Sequence, residues 1–333
     1  MRGFGTAFLR RLFPISLLVF AYLAIAVLVT FPLILNFDKG FVYYPAPAAA
    51  EHLDPRLSDV SYSLWTLWWF NKSTVDLGVS PLFSTYDFYP NGVSLLTNID
   101  GPLNYLVGTI LQRFLNLFTS YNSLVIFNLV FGGVAAFYFA KHFLKDNLPS
   151  FLSGLFVLTS SYMINRTLTN LNLQSVGWSF LFLLFLFRYL EEGDKRNYLS
   201  TVVFSFLSAA SSVYLFAMSS VVSVLYVGVT YSLGRSFFRL RVKRLAAAFF
   251  WSYLVLLGFI AFTLINRLMR PHFLSNPWPN DLFSFLFPSK IASSTGLLGS
   301  IFMRDLLVIR PGARPWRRLI FGDFLAYFPL PFF

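Results

Sequence analysis

Asp59 is the residue best suited by type and setting to move a proton. It opens the stretch Ser58-Asp59-Val60-Ser61-Tyr62-Ser63-Leu64-Trp65-Thr66-Leu67-Trp68-Trp69, which reads as a helix beginning on a capping residue. Within it Tyr62, Trp65 and Trp69 recur at helical spacing and form an aromatic stripe. Trp and Tyr favour the lipid headgroup layer, so the spacing predicts a helix lying along the membrane surface with a carboxylate at its start. A carboxylate at a lipid–water boundary can take the proton of a hydroxyl whose reaction partner is presented on a lipid. The bland reading stands beside it: Ser58 or Asp59 caps the helix, accepting from free N–H groups near the positive end of the dipole. One residue can hold both roles.

Two further groups carry chemistry. Pro81–Gly92 is a turn-rich aromatic segment in which Asp87, Tyr89 and Asn91, with Tyr62 and Trp65, are candidates to line a sugar or acceptor pocket. Pro90-Asn91-Gly92 marks a tight turn, and packing under the loop is the competing fate of its aromatic residues. Arg267, Arg270 and His272 cluster at the end of a later apolar run, at a depth suited to a lipid phosphate. Interfacial snorkelling of the two arginines is the alternative. Glu51-His52-x-Asp54 has metal-ligand types but no second cluster, so no metal or other cofactor is assigned. His142, beside Lys141, reads as a surface residue. Asn71-Lys72-Ser73 and Asn165-Arg166-Thr167 match the glycosylation sequon, a pattern that often arises by chance. The chain has no P-loop, G-x-S-x-G or HExxH motif, and its lack of cysteine removes disulfides and thiolate chemistry.

These residues need a scaffold, and composition names its class. The 333 residues are 56% apolar and 12% charged, with a mean hydropathy of +0.64. A soluble core cannot hide that much Phe and Leu. The net charge of +12 sits in short clusters between apolar runs, the pattern of a membrane protein rather than a nucleic-acid binder. Apolar spans are predicted at 12–35, 121–140, 149–165, 173–190, 197–211, 213–233 and 245–266, giving an all-α protein of about seven transmembrane helices. Residues 102–118 are apolar but hold Asn104, Gln112, Arg113 and Asn116, which fits an interfacial or re-entrant piece. With this count the basic clusters fall on one side, so the N-terminus is expected in the cytoplasm of a plasma (inner) membrane. The loop of about 36–120 is then extracytoplasmic, and it holds Asp38, Glu51, Asp54, Asp59, Asp76, Asp87 and Asp100, half of the 14 acidic residues. Residues 1–290 form one transmembrane domain, followed by an Arg/Pro-rich tail, 291–333, that the pattern does not place.

An early acidic residue in the first outer loop, a following aromatic helix and a Tyr89-Pro90-Asn91-Gly92 turn resemble membrane glycosyltransferases of the GT-C superfold. Tyr121-Asn122, Ser160-Ser161-Tyr162, Leu171-Asn172-Leu173, Ser211-Ser212-Val213-Tyr214, Asn280-Asp281-Leu282 and Phe287-Pro288 extend the resemblance over residues 10–290. It implies transfer of a sugar from a polyprenyl-phosphate carrier to a glycan, lipid or protein acceptor on the outer face, with Asp59 at the position of the base. Such enzymes usually continue with further spans, and the tail departs from that pattern. A lipid-linked sugar flippase or transporter, or a non-catalytic subunit of an envelope glycan assembly complex, are the rival expectations. Charge within the spans is scarce, which weighs against transport.

Overall fold

In the computed structural model the described residues are 3–43, 55–86, 90, 92–95, 101–232 and 307–309. Their architecture is α-helical, with two small two-stranded ladders attached. The helices are α1 (Gly3–Val29), α2 (Pro55–Asn71), α3 (Pro102–Leu111), α4 (Leu117–Leu144), α5 (Asn147–Leu158), α6 (Ser161–Thr169), α7 (Val176–Glu192), α8 (Lys195–Ser211) and α9 (Val213–Ser232). Three helical segments, Leu117–Leu144, Asn172–Glu192 and Val213–Thr230, are long and apolar enough to cross a membrane. The apolar run predicted at 245–266 lies outside the described residues.

Capping residues explain where the chain breaks. Asn116 accepts from Thr119 N at 2.8 Å and starts α4, so residues 102–118 form a ten-residue helix, a turn and the first two residues of α4 rather than a span. Ten residues rise only about 15 Å, half the hydrocarbon thickness. Ser160 likewise accepts from Met163 N at 3.2 Å and starts α6. The single helix expected over 149–165 is therefore two, with α5 only 12 residues long.

Three buried clusters hold the helices together. Tyr22, Ala26 and Leu33 pack with Leu129, Phe137 and Leu158, joining the first apolar helix to α4 and α5. Gly133 and Gly154 set the α4–α5 spacing: a Cβ on Gly154 would lie 2.4 Å from the Gly133 carbonyl and 2.1 Å from the Tyr22 hydroxyl. Phe182, Leu186 and Phe187 of α7 pack with Ala209 of α8 and Phe216 of α9. The third cluster belongs to the first loop, where Leu64, Trp65, Leu67, Trp69 and Phe70 of α2 meet Tyr105, Tyr121 and Leu124 of α3 and α4.

The loop segments are tied to this frame. The strands β1 (Phe41–Tyr43) and β4 (Leu307–Ile309) pair antiparallel, so the described part of the Arg/Pro-rich tail meets the first loop. The strands β2 (Phe83–Ser84) and β3 (Val93–Ser94) form a hairpin around the predicted turn. Gly92 there has φ +68°, and a Cβ would lie 2.7 Å from the Phe83 ring. Gly101, at φ +77°, starts α3 against the turn between α8 and α9, where a Cβ would fall 1.8 Å from the Ser211 carbonyl oxygen.

Candidate functional site

Asp59 lies within α2, beyond its first turn. The helix begins four residues earlier at Pro55, a residue whose missing N–H and fixed φ suit a first helical position. Asp59 therefore does not cap α2, and the capping alternative is overturned. Its backbone carbonyl is engaged, accepting from the Ser63 hydroxyl at 3.0 Å. The residue keeps an exposed surface, while the protein packed around its carboxyl raises its pKa above the ordinary Asp value. The Arg166 guanidinium opposes that shift from α6, which packs on α2. Asp59 and Arg166 are not among the described pairs that close an ion contact.

The aromatic stripe forms as its spacing predicts, but it faces protein. Tyr62 stacks on Trp65 and Trp65 on Trp69, each pair with ring centroids 6.1 Å apart. Trp65 and Trp69 are buried, and the Trp69 indole donates to the Pro81 carbonyl at 3.0 Å. Tyr86 packs on Trp68 and Trp69, at 5.9 and 5.3 Å. The expected headgroup-facing row is thus the loop's own core, because α3, α4 and the β2–β3 hairpin cover it. Tyr62, nearest Asp59 in the row, is half-buried and packs against the same cluster. Asp87, Tyr89, Asn91, Arg267, Arg270 and His272 lie outside the described residues, as do Glu51, His52 and Asp54.

Arg166 is the cation that the sequence reading passed over as part of a sequon. Its guanidinium sits over the Tyr162 ring, 5.4 Å from the centroid. Its Nε is buried and has no hydrogen-bond partner among the described residues. A legible signal existed: Arg166 is the single charged residue between Asp146 and Arg188. A lone charge in so apolar a stretch is costly and calls for a use.

An uncharged network backs this region. Asn104 of α3 donates to Asn172 Oδ1 at 3.0 Å and to Ser175 Oγ at 2.9 Å, and accepts from Asn128 of α4 at 3.4 Å. Asn172 donates to the Tyr105 hydroxyl at 3.2 Å. Gln174 donates to Thr167 Oγ1 at 2.8 Å, fixing the turn before α7 to α6. All of these side chains are buried, so their amides lock α3, α4 and α6 in register around the site. His142 is another departure from expectation. Its side chain is 8% exposed, and its Nε2 lies 3.3 Å from Glu191 Oε2, joining the last turns of α4 and α7.

The described residues define an α-helical protein with three helices long and apolar enough to cross a membrane, and with Asp59 and Arg166 on two helices, α2 and α6, that pack together. Residues 56–293 match the family described as Domain of unknown function (DUF6311), and the chain belongs to that family. No curated protein matches the chain. The family match includes Asp59 and Arg166 and reaches Arg267, Arg270 and His272.

Proposed function

We propose that the chain is a membrane glycosyltransferase that moves a sugar from a polyprenyl-phosphate carrier to an acceptor hydroxyl on the extracytoplasmic face. Asp59 carries this reading: a carboxylate freed from capping, set at the edge of a packed aromatic loop, with its pKa raised and Arg166 on the helix packed against its own. As base, Asp59 accepts the acceptor's proton while the acceptor oxygen bonds to C1 of the sugar and the bond from C1 to the carrier phosphate breaks. A raised pKa makes the carboxylate a better proton acceptor once it is ionised. The phosphate leaves with added negative charge and needs a cation beside it. Tyr62 is positioned to contact the sugar or acceptor.

Seven spans, alternating across a plasma (inner) membrane, complete the proposal. The spans are α1, α4, α5 with α6, α7, α8, α9 and the apolar run 245–266. Two contacts support the alternation. His142 and Glu191 join the ends of α4 and α7 that the charge pattern puts in the cytoplasm. Gly101 of the first loop meets the α8–α9 turn, which the same pattern puts outside. Outward apolar side chains, including Phe20, Leu28, Phe156, Val224 and Leu225, suit a lipid surround.

Deleting the gene and profiling surface glycans and glycolipids by mass spectrometry tests the function. Loss of one sugar, with its polyprenyl-linked donor accumulating at the outer face, is the expected result. Donor accumulating only on the cytoplasmic face would indicate a flippase instead.

A further inference from the structure

We propose that Arg166 binds the phosphate of a lipid-linked ligand, on the face it shares with Tyr162 and Asp59. The inference rests on the lipid-phosphate donor of the proposed function, and it names a binding residue for that phosphate among the described residues.

Three observations converge there, two on α6 and one on α2. Arginine is always charged, and a buried guanidinium N–H without an acceptor is unfavourable. The Arg166 Nε is in that state among the described residues. The Tyr162 ring lies 5.4 Å from the guanidinium carbon, a cation–ring contact that uses none of the N–H groups an oxyanion would bind. Asp59 lies on α2, which packs on α6, yet no ion contact closes between Asp59 and Arg166. The guanidinium is therefore held beside the base without being consumed by it.

The surroundings favour a lipid as the source of the phosphate. Leu148, Leu152 and Phe156 are exposed at four-residue intervals along α5, making an apolar ridge on one side of the helix. The ridge runs toward the Ser160 break, after which α6 presents the exposed Tyr162 and then Arg166. An isoprenoid chain lying on that ridge would bring its phosphate to the Tyr162–Arg166 pair. Free phosphate would use the same guanidinium but gain nothing from the ridge.

The test uses the whole chain in phosphatidylcholine nanodiscs, with farnesyl phosphate, farnesol and inorganic phosphate as probes and native mass spectrometry as the readout. Wild type should bind farnesyl phosphate at least about tenfold more tightly than either other probe. Arg166→Gln should lose about tenfold or more for farnesyl phosphate, with farnesol unchanged. If Arg166→Gln does not fold, Arg166→Lys, which keeps the charge but lacks the Nε–H, should still weaken binding about fivefold. Unchanged affinity in a folded variant overturns the proposal, as does a wild type that does not distinguish farnesyl phosphate from farnesol. Inorganic phosphate binding as tightly as farnesyl phosphate overturns the lipid assignment. Because the readout is binding, a wild type that binds but never transfers sugar would sink the transferase reading and leave this inference standing.

Discussion

At the scale of the residue, the position of Asp59 in its helix decides what it is free to do. A carboxylate at the first turn gains from the helix dipole and has its pKa lowered, whereas Asp59, beyond that turn, has its pKa raised. Its folded pKa therefore lies above its unfolded value, so its contribution to stability is fully present below the unfolded pKa. That contribution is lost as pH rises through the folded pKa. Asp59→Asn, which has no charge to desolvate, should unfold at a higher temperature than wild type at pH 7. The difference should shrink toward zero near about pH 3, where Asp59 is protonated in both states. Equal midpoints for variant and wild type at both pH values would contradict the raised pKa. The acidic residue, its aromatic companions and their period were all legible in the sequence. The cation that opposes its pKa shift was not identified, because Arg166 is 107 positions away and only the packing of α6 on α2 relates them. Its isolation in an apolar stretch was the available signal.

At the scale of the element, periodicity told which residues share a face but not what the face meets. Tyr62, Trp65 and Trp69 stack as their spacing requires, and the same stripe could have faced headgroups or protein. Covering by α3, α4 and a hairpin made it core, a long-range outcome that no local pattern encodes. Apolar length found the helices well but merged α5 with α6, where the serine pair at 160–161 was a readable cap. The joint most sensitive to substitution is Gly101. Alanine there must adopt φ +77° and displace the Ser211 carbonyl, so both backbone strain and lost packing follow. Gly101→Ala should cost about 2 kcal/mol or more, read as a lowered thermal midpoint in detergent. A midpoint equal to wild type would mean that α3 is not keyed to the α8–α9 turn.

At the scale of the whole molecule, a packed first loop is joined to an apolar helical bundle through α4. Composition alone made the membrane class legible, and three helices of the described residues have the length and hydropathy to cross. The side on which each loop lies follows from charge distribution and is directly testable, since the chain contains no cysteine of its own. Ser80→Cys, exposed between α2 and β2, should react with a membrane-impermeant maleimide in intact cells. Lys195→Cys, exposed at the start of α8, should react only after permeabilisation. Reversed or equal labelling would contradict the orientation.

The central claim is that Asp59 is the base of a sugar transfer. The most direct measurement returns wild type or Asp59→Asn, at equal membrane abundance, to a strain lacking the gene and reads its surface glycans and glycolipids by mass spectrometry. Restoration of the missing sugar by wild type but not by Asp59→Asn is the predicted result. Full restoration by Asp59→Asn would contradict it, because an amide cannot accept the proton that the transfer releases.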